Sequence, residues 1–215
     1  MKQKPTKAKS VKQIIEKNAM VRLDLACGQS KQKGFIGMDV LPYPGVDIVH
    51  NATVFPWPIP SESIDMMVAS HFLEHVPKTG VDPRLSGLID LLISKKAITK
   101  QEALKAFGEH HVFSNFIGLL NEAWRVLKVE GQFAFVVPYY TSPGFAQDPT
   151  HTSMINEATM MYFDPEHESQ LWNFYKPMPW KIEMQTFQGN GNMEVVISKR
   201  DITKYEKAIE GHLEK

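Results

Sequence analysis

The feature that most constrains this chain is the run Val21-Arg22-Leu23-Asp24-Leu25-Ala26-Cys27-Gly28. A mostly apolar segment with one carboxylate stops at a glycine. That is the pattern of a buried strand ending in a tight turn, since glycine lets the backbone bend sharply and approach a ligand closely. The later run Ile64–Ser70 is apolar almost throughout, which suits a buried position in a parallel sheet. In open α/β sheets the ligand sits at the carboxyl ends of the strands. Asp24, Ala26, Cys27 and Gly28 are therefore candidate binding positions. The next apolar run, Phe35-Ile36-Gly37-Met38-Asp39-Val40, brings a second carboxylate to a second strand end. A carboxylate placed there can accept hydrogen bonds from both hydroxyls of a ribose.

Phosphate-bearing ligands fit less well. After Gly28 the chain reads Gln29-Ser30-Lys31-Gln32-Lys33, without the second and third glycines of a dinucleotide fingerprint, and no P-loop pattern occurs. A nucleoside ligand without phosphates is favoured.

The rest of the chain alternates strand and helix patterns. Val46–His50 and Ile64–Ser70 read as the third and fourth strands, with a rigid Pro56-Trp57-Pro58-Ile59-Pro60 loop between them. Leu85, Leu88, Ile89, Leu92 and Ile93 recur at helical spacing, and Thr99 with Glu102 forms a capping-box pattern. A longer helix through Phe116, Leu120 and Leu127 is expected to stop before Gly131. Gln132–Pro138 follows as the fifth strand, and Asn156 is placed to cap a short helix through Met160 and Tyr162. Trp180–Phe187 and Met193–Lys199 form a hairpin through Gly189-Asn190-Gly191, and Ile202, Tyr205, Ile209 and Leu213 mark a last amphipathic helix. The expected fold is Rossmann-like α/β: a mainly parallel seven-stranded sheet with an antiparallel C-terminal hairpin and a helical insertion. Residues 1–20 read as a basic tail with a short helix, and 21–215 as one domain with the insertion at about 78–112.

Composition narrows the function classes. The formal net charge is +0, so no basic surplus points to nucleic acid or an anionic membrane. The chain has one cysteine, Cys27, which rules out an internal disulfide framework and suits a reducing compartment. No apolar run approaches the roughly 18 residues that span a bilayer. The N-terminus lacks a secretory h-region, so the cytoplasm is the expected location. Glu109, His110 and His111 lack a spaced third ligand, and no metal is expected.

Taken together, these motifs resemble the class I S-adenosylmethionine-dependent methyltransferases. Leu23 to Gly28 is similar to the first motif of that family, whose loop holds the methionine part of the cofactor. Asp39 matches the ribose-binding acid, Val40 and Leu41 the apolar residues against adenine, and Asn51-Ala52 the pair beside the adenine amino group. Ser61 to Val68 resembles the fourth-strand signature, and Ser70-His71-Phe72-Leu73-Glu74-His75-Val76 the segment after it. Asn121 to Gly131 is like the helix and turn before the fifth strand, and Asp148-Pro149-Thr150-His151 is similar to a segment of short bacterial and phage members. Three departures stand out. The short interval from Asp24 to Asp39 reduces the first helix to a turn, Gln29 and Ser30 replace glycines, and Asn51 replaces the commoner carboxylate.

The resemblance implies S-adenosyl-L-methionine as cofactor and methyl transfer as the reaction. Implied cofactor positions are Asp24, Ala26, Cys27, Gly28, Asp39, Val40, Leu41, Asn51, Ala52, Ser70 and His71. Candidate catalytic residues on the acceptor side are His151, Tyr139 and Tyr140, with Asp148 placed to orient His151 or to bind substrate. Glu74 and His75 read as holding the helix that follows. A small-molecule acceptor is favoured over nucleic acid. The Asn/Asp-Pro-Pro-Tyr motif of DNA amino-methyltransferases is missing after the fourth strand, and Val137-Pro138-Tyr139-Tyr140 follows the fifth. No membrane partner is expected, and the insertion is a candidate homodimer contact. The alternative reading is a noncatalytic cofactor-binding scaffold.

Overall fold

The computed structural model describes residues 20–77 and 115–213, together with positions 11, 15, 95–97 and 99. The strands are β1 (Arg22–Leu25), β2 (Ile36–Asp39), β3 (Ile48–Val49), β4 (Ile64–Ser70), β5 (Leu127–Pro138), β6 (Trp180–Phe187) and β7 (Asn192–Lys199). They form one seven-stranded sheet in the order β3-β2-β1-β4-β5-β7-β6. β1 to β5 pair in parallel, and β7 runs antiparallel to both β5 and β6. The sequence expectation of a parallel sheet closed by an antiparallel hairpin is met.

β1 and β2 are almost wholly buried, as strands covered on both faces must be. The helix α1 (Asn115–Val126) buries Phe116, Leu119, Leu120, Ala123 and Val126, and these residues join the core around Leu23, Leu25, Met67 and Phe133. The helix α2 (Pro143–Ala146) is a single turn, with Ser142 as its cap accepting from the Phe145 N–H. The helix α3 (Glu206–Leu213) lies in a smaller cluster with Trp172, Tyr205 and Ile209. Among the described residues, no helix is long and apolar enough to cross a membrane.

The stretch Glu122 to Arg125 has a packing role. Glu122 Oε1 accepts the Trp57 backbone N–H at 2.6 Å, and both of its oxygens are bonded by Arg125, at 2.6 and 2.9 Å. Arg125 also donates to Ile59 O and Ser61 Oγ. One Glu–Arg pair thus pins the proline-rich loop onto α1. Trp57, 2% exposed, completes the anchor by donating from Nε1 to Ala52 O.

Several local expectations shift. β5 begins at Leu127, earlier than the expected Gln132, because Leu127 pairs with Ile64 across a bulge. Gly131 is therefore not a helix stop. It sits inside the strand, where a Cβ would come within 2.8 Å of Lys128 O and 3.2 Å of Asp65 O. The Asn156 segment is a 3-10 turn, Thr159–Tyr162, with Asn156 Oδ1 accepting from Ala158 and Thr159 N–H. The last helix starts at Glu206 because Asp201 folds its carboxylate onto the Thr203 N–H and holds a turn there. The expected helices over 82–110, and the dimer contact assigned to them, lie outside the described residues apart from 95–97 and 99.

Candidate functional site

The carboxyl ends of β1, β2 and β4 converge on one edge. Between β1 and β2 the chain makes only turns, as the short Asp24–Asp39 interval implied. Ala26 and Gly28 both have φ of 54°. Glycine adopts that region without strain and alanine does not, so Ala26 is held there by its neighbours. The Gly28 N–H donates to Asp39 Oδ2 at 2.9 Å, and the Leu41 N–H donates to Asp39 Oδ1 at 2.9 Å. Asp39 thereby ties the β1 turn to the β2 turn. Each oxygen still has a lone pair to offer a hydroxyl.

Ala26, Met38, Asp39, Val40, His50, Asn51, Ala52 and Phe72 line a cleft of about 200 Å³. Five of these are among the positions read from the sequence, and Met38, His50 and Phe72 are additions. Met38 and His50 could have been found from their places beside Asp39 and Asn51, but Phe72 enters only because the chain after β4 folds over the cleft. Val40 and Leu41 leave their apolar side chains largely exposed, at 58% and 48%. Asn51 spends its carbonyl oxygen on the Thr53 N–H and hydroxyl, leaving its NH2 group as the donor for a ligand.

Asp24 is buried, and its Oδ2 accepts the Gln32 N–H at 2.7 Å. Burial pushes its carboxyl pKa up, against the Gln32 hydrogen bond and the Lys31 charge. A folded-state pKa above the unfolded one means the native state binds more protons in that window, so stability falls as pH rises through it. At neutral pH the ionised Asp24 is thus a cost to the unliganded fold. We expect Asp24→Asn to raise the thermal midpoint of the unliganded protein at neutral pH and to weaken cofactor binding. A midpoint that falls at neutral pH would show that Asp24 serves stability instead. Cys27 is buried, and burial first, then the charges of Asp24 and Asp39, push its thiol up to about 11. It stays protonated and unreactive.

The end of β4 carries Ser70 and His71. His71 has φ of 52° and donates its own N–H to Val136 O. His71 Nε2 lies 3.4 Å from Asn192 Nδ2, and its Nδ1 lies 3.3 Å from Glu74 Oε1. Leu73–His75 form a 3-10 turn that buries Glu74 completely. The loop after β5 is strapped onto this turn: Thr152 and Ser153 N–H both donate to Glu74 O, and Ser153 Oγ donates to Val76 O.

That strap delivers His151. Its ring lies 4.6 Å, centroid to centroid, from the His75 ring. Its Nε2 lies 3.9 Å from Glu74 Oε1 and 3.7 Å from Asp148 Oδ2. His151 therefore stands beside the turn that follows β4, not behind the sheet. Tyr139 donates its hydroxyl to Glu157 Oε2 at 2.8 Å, and that bond pushes its pKa up to about 12. It is a phenol at neutral pH and a poor base. Tyr139 also packs edge-on to Tyr140 and Phe187, both of which are exposed.

A larger hollow of about 500 Å³ lies among Gln132, Lys181, Ser198, Lys199, Arg200 and Lys204. Its cations are already matched to Glu183, Glu62, Asp164 and Glu166. It offers no free charge to an anion, and it lies by the amino end of β5, away from the cleft.

No family model matches the chain, and no curated protein matches it. Among solved structures, it is similar to an S-adenosylmethionine-dependent methyltransferase from Archaeoglobus fulgidus, at 15% identity and TM-score 0.48 over 87% of this chain and 90% of that one. It is also similar to one from Mesorhizobium loti, at 10% identity and TM-score 0.48 over 84% and 91%. A third is the [4+2]-cyclase SpnF, at 11% identity and TM-score 0.48 over 87% and 79%. The strand order, with five parallel strands and β7 inserted antiparallel between β5 and β6, gives this chain a Rossmann-like α/β fold.

Proposed function

We propose that this chain is an S-adenosylmethionine-dependent methyltransferase acting on a small-molecule acceptor. The observation that carries this reading is the cleft at the carboxyl edge. Asp39 stands on its floor with the Gly28 turn bonded to it, and Val40, Asn51, Ala52 and Phe72 surround it. A carboxylate for a ribose, exposed apolar side chains for a purine and no phosphate cradle together suit a nucleoside sulfonium. Asp24, Ala26, Cys27 and Gly28 hold the methionine part, and Ser70 and His71 close the far side.

The sulfonium methyl is already activated when the cofactor is bound. The protein's work is to align an acceptor with it and exclude water, which supplies on the order of 7–11 kcal/mol in favourable cases. The segments after β4 and β5, where His71, His151, Tyr139 and Tyr140 stand, would supply the acceptor side of the cleft. For an acceptor that must lose a proton, His151 is the base, since Tyr139 is held as a phenol by Glu157.

Titration calorimetry of the purified chain tests the reading. S-adenosylmethionine and S-adenosylhomocysteine should each bind at micromolar level or tighter, about −8 kcal/mol. An acceptor screen read by S-adenosylhomocysteine release should then find turnover. Absence of binding overturns the assignment. Binding with no product across a broad screen points to the scaffold alternative.

A further inference from the structure

We propose that Glu74, His75 and His151 form a binding site for one divalent transition-metal ion, of which zinc is the test case. No metal was expected from the sequence, where Glu109, His110 and His111 lack a spaced third ligand. The fold brings them together: one donor atom from each lies within 4.8 Å of the other two.

The carboxylate is the first reason. Glu74 is 0% exposed, and neither Oε1 nor Oε2 has a hydrogen-bond partner. A buried carboxylate without partners is costly unless a cation is supplied. The groups around it are three imidazoles. His71 Nδ1 lies 3.3 Å from Oε1, His151 Nε2 lies 3.9 Å away, and His75 packs edge-on against the His151 ring.

The second reason is how the two histidines are held. His151 Nδ1 lies 3.0 Å from Phe145 O, which can only accept, so Nδ1 carries the proton and Nε2 keeps its lone pair toward Glu74. His75 Nδ1 lies 2.9 Å from Thr150 Oγ1, and that hydroxyl gives its own proton to Asp148 Oδ1 at 2.6 Å. Thr150 must then accept from His75 Nδ1–H, which leaves Nε2 of His75 free as well. Metal-binding histidines are commonly oriented in this way, with the second ring nitrogen donating to a carbonyl or a carboxylate-linked group. In their neutral form both rings therefore present Nε2, the nitrogen a metal needs.

Two imidazoles and one carboxylate suit zinc and iron(II), and three protein ligands leave a coordination position open. Donors around one zinc lie roughly 3.3 Å apart, so the cluster must draw in slightly on loading. Asp148 Oδ2, 3.7 Å from His151 Nε2, stands at the outer side as a further oxygen. The ligands come from the segments after β4 and β5, so an ion there would cross-link the two loops that flank the cleft. The proposal stands on this geometry and does not depend on the cofactor assignment; with an ion bound, His151 Nε2 is a ligand, and the base role belongs to the metal-free chain alone.

The test uses the full chain stripped with a chelator. Zinc titration against a competing indicator dye should show one equivalent bound per chain at micromolar level or tighter. Cobalt(II) should give visible absorption bands from a low-coordinate nitrogen and oxygen site. Glu74→Gln and His151→Ala should each weaken zinc at least 100-fold and erase the cobalt bands. Thr150→Val, which removes the hydroxyl that orients His75 and donates to Asp148, should weaken zinc 10–100-fold with the stoichiometry kept. His167→Ala is the control and should bind as the parent does. In chelator, Glu74→Gln should melt at or above the parent temperature, and zinc should raise the melting point of the parent but not of Glu74→Gln, which separates lost ligation from misfolding. The proposal is overturned if the parent binds no stoichiometric zinc, or if binding survives in the Glu74→Gln, His151→Ala double variant.

Discussion

Glu122→Ala is expected to lower the unfolding free energy by about 1.5–3 kcal/mol, the range for hydrogen bonds to a charged group, since Glu122 is buried but Arg125 stays partly exposed. Three hydrogen bonds end on this carboxylate: the Trp57 N–H and two from the Arg125 guanidinium. Alanine leaves the Trp57 amide without its acceptor and Arg125 without its counter-charge. The damage also reaches the site. Trp57 holds Ala52 O, and Ala52 lines the cleft with Asn51. Urea denaturation at neutral pH should show the loss as a lower midpoint with an unchanged slope, and cofactor affinity should fall with it. Glu122→Gln keeps an acceptor for Trp57 and should cost clearly less. A Glu122→Ala protein with the parent midpoint would show that the loop is anchored by apolar packing alone.

Asp39→Ala is expected to weaken S-adenosylmethionine by roughly 1.5–3 kcal/mol, the range for hydrogen bonds to a charged group. In affinity this is about 10- to 150-fold. Calorimetry on both proteins measures it. Asp39 already holds the Gly28 and Leu41 amides, so the variant loosens the two turns as well as losing the ribose contact. Asp39→Asn separates the two effects. It keeps one oxygen acceptor but has lost the charge, so it should fall between the parent and the alanine variant in affinity and stay close to the parent in melting temperature. Equal affinity in all three proteins would refute the ribose role.

The features legible from the sequence were local ones. Apolar runs ending in Gly28, Asp39 and Ser70 identify β1, β2 and β4 and their ligand-facing ends, because hydropathy along a strand and a glycine at its end need no knowledge of the rest of the chain. That reasoning placed Ala26 and Asp39, the family resemblance added Val40, Asn51 and Ala52, and all five line one cleft. The Gly189-Asn190-Gly191 turn between β6 and β7 was equally plain, with Gly191 at φ of 86°. Where a local signal had two meanings, the structure chose. Gly131 read as a helix stop and is a residue of β5, because the pairing of Leu127 with Ile64 competes with the end of the helix.

What only the tertiary structure decided are the pairings between distant side chains. Glu122 against Trp57, and Glu74 with His75 against His151, follow from how a helix and two loops pack over the sheet. Glu74 read as a residue holding a helix, and it is instead a buried carboxylate without hydrogen bonds, facing three imidazoles. Periodicity reports which face of an element is apolar. It carries no information on which loop will close over which, since loop positions are set by the summed packing of the whole core.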